Sequence, residues 1–143
     1  VKEEECIKKL LQGEQMGINL YKKYIEKIPE GIEHNKLQQL ILEHQEEKSK
    51  LENILQEKGM DSKVSVGLLE RLTEFSQDIS LLFNTKRERL IRKLYKGEIM
   101  GLSYCERYIN EAGEELVPEF KNYIDKNKQR IEVLRGLVDR NEY

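Results

Sequence analysis

The chain has 143 residues, enough for one domain with its own core, and 36% of them are charged. Its 25 basic and 27 acidic residues leave a net charge of −2, which excludes a strong field for nucleic acid or an anionic membrane. Tryptophan is absent, prolines number two, and no apolar run approaches the ~20 residues of a bilayer span.

The rest of the composition, rich in Glu, Lys, Leu and Ile, is that of long helices. The opening Val1-Lys2-Glu3-Glu4-Glu5 does not read as a signal peptide, so the expectation is a cytoplasmic chain. Its two cysteines, Cys6 and Cys105, are then expected to stay reduced.

In chain order, the spacing predicts a first helix over residues 2–28. Ile7, Leu11, Glu14, Ile18, Tyr21, Ile25 and Ile28 form one seam with a glutamate inside it. Pro29-Glu30-Gly31 breaks it. A second helix is predicted over 33–58, with Leu37, Ile41, His44, Lys48, Leu51 and Leu55 in register and Leu40, Glu47 and Ile54 beside them. Gly59 is its stop.

A polar connector over 60–65 leads, with Ser65 as cap, into a shorter helix over 66–82. Thr85 and Glu88 fit a capping box for a third long helix over 86–112, whose seam is Ile91, Glu98, Leu102, Cys105, Ile109 and Ala112. The basic run from Lys86 to Lys93 is interrupted by Glu88, Leu90 and Ile91 and reads as a solvated helix face. After Gly113, a fourth helix over 115–140 aligns Phe120, Ile124, Asn127, Ile131, Leu134 and Val138.

The chain also repeats itself. Gly13-Glu14-Gln15-Met16-Gly17 returns 84 residues later as Gly97-Glu98-Ile99-Met100-Gly101, and Tyr24-Ile25 returns as Tyr108-Ile109. Short turns make the first and second helices antiparallel, and likewise the third and fourth. The expected fold is an all-α four-helix bundle of one domain, 1–143. Two duplicated hairpins, 1–59 and 86–143, are joined by a helical crossover over 60–85.

A duplicated hairpin with a mid-helix glutamate and a long crossover resembles the ferritin-like superfamily. Gly13-Glu14-Gln15 with Tyr21 resembles the first helix of rubrerythrin-type proteins, and the crossover followed by the Gly-Glu repeat resembles small bacterial ferritin-like proteins. The resemblance implies a di-iron site, with one Glu from each of two helices and a Glu-x-x-His from each of the other two.

Glu14 and Glu98 match the single glutamates. The second helix departs from the pattern, reading His44-x-x-Glu47; Glu43 and Glu46 lie off its seam. The fourth helix departs further, with Asn127 and Arg130 at the equivalent positions, and a guanidinium does not shed its charge to bind iron.

Two readings of these residues follow. In the favoured one the metal site is replaced by a buried polar layer of Glu14, His44, Glu98, Asn127 and Arg130, where a guanidinium holds carboxylates that are costly to bury alone. In the other, Glu14, His44, Glu47 and Glu98 keep a partial site for iron or manganese.

Gly13, Gly17, Gly97 and Gly101 lie inside predicted helices, where each costs about 1 kcal/mol relative to Ala. They are expected to face each other across a contact between the first and third helices, Gly13 with Gly101 and Gly17 with Gly97; a dimer surface is the alternative. Cys6 and Cys105 fall near one level as buried thiols, and Met16 and Met100 read as packing residues.

The expected function is that of a non-enzymatic structural or interaction protein. It has no cofactor, no nucleic-acid partner and no membrane span, and it self-associates as a dimer. The alternative is a metal-dependent oxidase, peroxidase or iron-handling protein.

Overall fold

A computed structural model describes residues 2–60 and 87–139. Among them are four long α-helices: α1 (Lys2–Ile25), α2 (Ile32–Glu57), α3 (Arg87–Tyr108) and α4 (Val117–Asp139). The expected 60–65 connector beyond Met60, the helix expected over 66–82, Thr85 of the capping box, Lys86 and residue 140 lie outside the described residues.

Local chemistry sets the helix ends. Glu3, Glu4 and Glu5 in the first turn of α1 and Lys22 and Lys23 in its last turn complement the helix dipole. The α1 helix stops at Ile25, short of the expected 28, because the residue before Pro29 is steered away from helical geometry. The Lys27 and Ile28 amides instead donate to the Tyr24 and Ile25 carbonyls, and this turn keeps Ile28 buried.

Gly59 ends α2 with φ of 68°, donating to the Gln56 carbonyl, while the Met60 amide donates to Leu55 at 2.8 Å. The pair satisfies two carbonyls that the helix end leaves open. The α3 helix ends at Tyr108 rather than 112, though the turns that follow still bury Ala112. A 3₁₀ turn over Glu114–Leu116 precedes α4, and Pro118 lies in its first turn, where no amide hydrogen is required.

The helices pack in a closed ring. The most extensive contacts are α1 with α2 and α3 with α4; those of α1 with α3 and α2 with α4 are smaller. Two apolar clusters fill the ring. One joins Leu20, Tyr21 and Tyr24 of α1 to the N-terminal half of α2 at Leu37 and Ile41, to Ile91 and Leu94 of α3, and to Leu134 and Leu137 of α4. The other joins Cys6, Ile7, Leu10 and Leu11 to Leu51 and Leu55, Cys105, Phe120 and Tyr123.

This pairing fixes the helix directions. The end of α1 meets the start of α2, so those two are antiparallel, as are α3 and α4 by the same test, while α2 and α3 run parallel. Each buried Leu or Ile contributes about 1.5–3 kcal/mol over its exposed state, so the two clusters carry most of the folding drive. Between the clusters lies a band with no apolar continuity.

Three details differ from the periodic reading. The α2 seam passes through Glu47, 2% exposed, and leaves the Lys48 side chain at 36%. Met100 is not a packing residue within the chain, for it is 71% exposed.

The four glycines do not press one helix backbone against another. A Cβ on Gly13 or Gly97 would meet nothing within 4 Å; on Gly17 it would meet the His44 ring at 3.7 Å, and on Gly101 the Asn127 amide at 3.2 Å. Two of the four thus make room for side chains of the polar band.

Candidate functional site: a buried ion-pair layer

The band between the clusters holds Glu14, His44, Glu47, Glu98, Asn127 and Arg130, all buried. Helical spacing delivers them to one level. Glu14 sits mid-way along α1 and Glu98 mid-way along α3. A step of three puts His44 and Glu47 on one face of α2, and the same step puts Asn127 and Arg130 on one face of α4. Four helices thus contribute six polar side chains to a plane that would otherwise be apolar.

Glu98 is the most heavily bonded of them. Its Oε1 accepts from the Tyr21 hydroxyl at 2.8 Å and from His44 Nε2 at 2.6 Å. Its Oε2 accepts from Asn127 Nδ2 at 2.9 Å and Arg130 Nε at 3.1 Å. Burial alone would raise its pKa, but the charges of His44 and Arg130 and the four donors outweigh it and hold the carboxyl at about 2.

Arg130, 1% exposed, forks onto Glu47 with Nη1 to Oε1 at 2.8 Å and Nη2 to Oε2 at 3.1 Å. With Nε on Glu98, the one guanidinium bonds two carboxylates from two helices. Glu43 lies 3.9 Å from Nη1 at the edge of the layer. Burial opposes the guanidinium charge, yet Glu98 and Glu47 raise the pKa of Arg130 above its ordinary value.

His44 bridges the other side. Nδ1 lies 2.7 Å from Glu14 Oε2, and Nε2 faces Glu98. A neutral imidazole would turn a lone pair toward one of these carboxylates, so the geometry is that of an imidazolium donating both hydrogens. Burial opposes the charge, and Glu98 and Glu14 outweigh it, raising the pKa to about 10. The Tyr21 ring lies 5.4 Å from the imidazole, within reach of a cation–π attraction.

Glu47 also faces Glu14. Burial and the Glu14 charge push its carboxyl up to about 8 against the pull of Arg130. The Glu47 carboxyl therefore keeps its proton near neutral pH. Three carboxylates face two cations and that one proton, so the layer is neutral as a unit. Neutrality is what permits six polar groups in an apolar interior, where a net charge would cost several kcal/mol.

Two tyrosines and a cysteine border the layer. The Tyr123 hydroxyl donates to the Glu47 backbone carbonyl at 2.9 Å, and Tyr21 bonds Glu98 as described. Cys6 and Cys105 are buried and not joined in a disulfide. Burial, then the Glu14 and Glu47 charges, push the Cys105 thiol up to about 12, which leaves it unreactive at neutral pH.

The structure thus brings Glu14, His44, Glu98, Asn127 and Arg130 into one layer and adds Glu47 and Tyr21. His34 plays no part in the bonds that bind the layer. Periodicity missed Glu47 as a layer member because it set Lys48 on the seam and Glu47 beside it. The one available signal was Arg130 itself, whose fork needs a second carboxylate.

A pair of iron or manganese ions does not fit this donor set. Both oxygens of Glu98 and of Glu47 are already committed, both nitrogens of His44 face carboxylates, and a guanidinium lies between Glu47 and Glu98. One smaller group, Glu14, His44 and Glu47, brings a ligand atom from each within 4.8 Å of the others. That spacing suits a single cation if His44 loses its Nδ1 proton.

No family model, curated protein or solved structure matches this chain.

Proposed function

We propose that this protein is a non-enzymatic structural or interaction module of ferritin-like architecture. Its four helices form a duplicated bundle in which a neutral ion-pair layer stands where a di-iron centre would lie. One observation carries the reading: Arg130, wholly buried, bonds Glu47 through two nitrogens and Glu98 through the third. A fixed organic cation holds the carboxylates that metal ions would otherwise share. Such a layer fixes helix register, since sliding any helix by one turn would strand a buried charge.

Self-association as a dimer belongs to the same proposal. Its support is apolar surface left open on α2 and α3: Ile32 at 70% and Met100 at 71% exposure, with Leu42 and Ile99 less so. Sedimentation velocity tests it, a single monomeric species across micromolar concentrations being the contrary result.

A metal-dependent reading is favoured by one observation, the grouping of Glu14, His44 and Glu47. It would make the protein an oxidase, a peroxidase or an iron handler using iron or manganese. Anaerobic iron(II) titration followed by oxygen separates the two. Stoichiometric uptake with an oxo-bridge absorption band would establish the metal reading, and no uptake by a folded protein supports the ion-pair layer.

A further inference from the structure

On the reading of the layer as metal-free, we infer that Arg130 is a built-in counter-cation that keeps a divalent-cation site closed, the site being Glu14, His44 and Glu47. Two observations point to that role for the guanidinium. The three side chains are buried, come from two helices, and present one nitrogen and two carboxylate oxygens within 4.8 Å of each other. A borderline divalent ion takes that donor set. The guanidinium engages both Glu47 oxygens, at 2.8 and 3.1 Å, so the lone pairs an ion needs already point at Arg130.

Charge completes the closure. With Arg130 present, a divalent ion entering the layer would meet a fixed positive charge across Glu47. Without Arg130 the layer loses that positive charge, and the Glu47 oxygens are released. An ion binding there would displace two protons to solvent, that on His44 Nδ1 and that on Glu47, and bond Glu14, Glu47 and the freed nitrogen. The specific role of Arg130 is thus exclusion as well as bonding, and it is separable from the rest of the layer.

The test uses cobalt(II) chloride as the probe, with isothermal titration calorimetry and visible absorption on the full chain. Wild type and Arg130→Lys, which keeps the charge, are expected to bind negligibly. Arg130→Gln is expected to bind one cobalt per chain, at least about 100-fold more tightly, the order expected for removing a nearby unit charge at an effective dielectric of about 20. Should Arg130→Gln fail to fold, the charge-balanced Glu98→Gln/Arg130→Gln variant leaves all three ligands in place and is expected to bind as well.

A folded Arg130→Gln or double variant that takes up no cobalt overturns the inference and leaves the metal-free reading of the wild type standing. Wild type that binds cobalt as tightly as Arg130→Gln overturns both.

Discussion

Replacing Arg130 by methionine removes a guanidinium that is 1% exposed and donates three charge-assisted hydrogen bonds. Glu98 keeps Tyr21, His44 and Asn127, but Glu47 loses both side-chain donors and still faces Glu14. Breaking a buried pair by removing one partner costs about 3–5 kcal/mol. For a domain of this size that is a fall in Tm of roughly 10–20 °C. The informative comparison is Arg130→Met with Glu47→Leu. Removing both side chains leaves neither polar group orphaned, and apolar replacement of a whole pair is often neutral. Urea unfolding followed by circular dichroism should therefore show a large loss for Arg130→Met, recovered in large part in the double variant, with a coupling of at least ~2 kcal/mol. Strictly additive losses, or a loss under ~1 kcal/mol for Arg130→Met, would refute the pairing.

Stability should depend on pH with a definite sign. Burial resists charge on His44, yet Glu98 and Glu14 raise its pKa from 6.5 to about 10, and burial with Glu14 raises Glu47 from 4.5 to about 8. Folded protein therefore holds these protons more tightly than unfolded chain; their contributions are complete below 6.5 and 4.5 and are lost as pH rises through about 10 and about 8. Glu98 works in the opposite sense: held down from 4.5 to about 2, it contributes fully above 4.5 and loses that contribution as pH falls. Urea midpoints should fall between about pH 5 and pH 10, and a steady rise over that range would contradict the assignment of charge in the layer. Gly97→Ala should stabilise by up to ~1 kcal/mol, because the new methyl meets nothing. Gly101→Ala should gain less or lose, because its methyl would lie 3.2 Å from the Asn127 amide; equal melting temperatures for the two would count against that crowding. Tyr21→Phe should cost about 1.5–3 kcal/mol through the lost bond to Glu98, and an unchanged urea midpoint would remove Tyr21 from the layer.

The helices were legible because their seams are periodic: Ile7, Leu11 and Ile18 on α1, and Leu37, Ile41 and Leu51 on α2, fall at sums of three- and four-residue steps and are buried. Their ends were less legible. Ile28 and Ala112 are core residues beyond their helices, held there by turns that hydrophobic spacing does not register. In the layer, Glu14 and Glu98 stood out as charges on apolar seams, and Arg130 as a cation one turn from Asn127. The choice between Glu47 and Lys48 was not legible, because both adjoin His44 on the helix and the deciding partner comes from α4. Gly17 and Gly101 misled for the same reason. A Gly-x-x-x-Gly spacing says that something approaches closely, and only the fold shows that it is a His44 ring and an Asn127 amide.

The central claim is that cations belonging to the chain itself occupy this interior. The most direct measurement is the metal content of protein purified without tag or chelator, followed by anaerobic iron(II) titration and oxygen. The expected result is a folded protein with far less than one metal per chain and no oxo-bridge band. Two irons per chain with that band would contradict it.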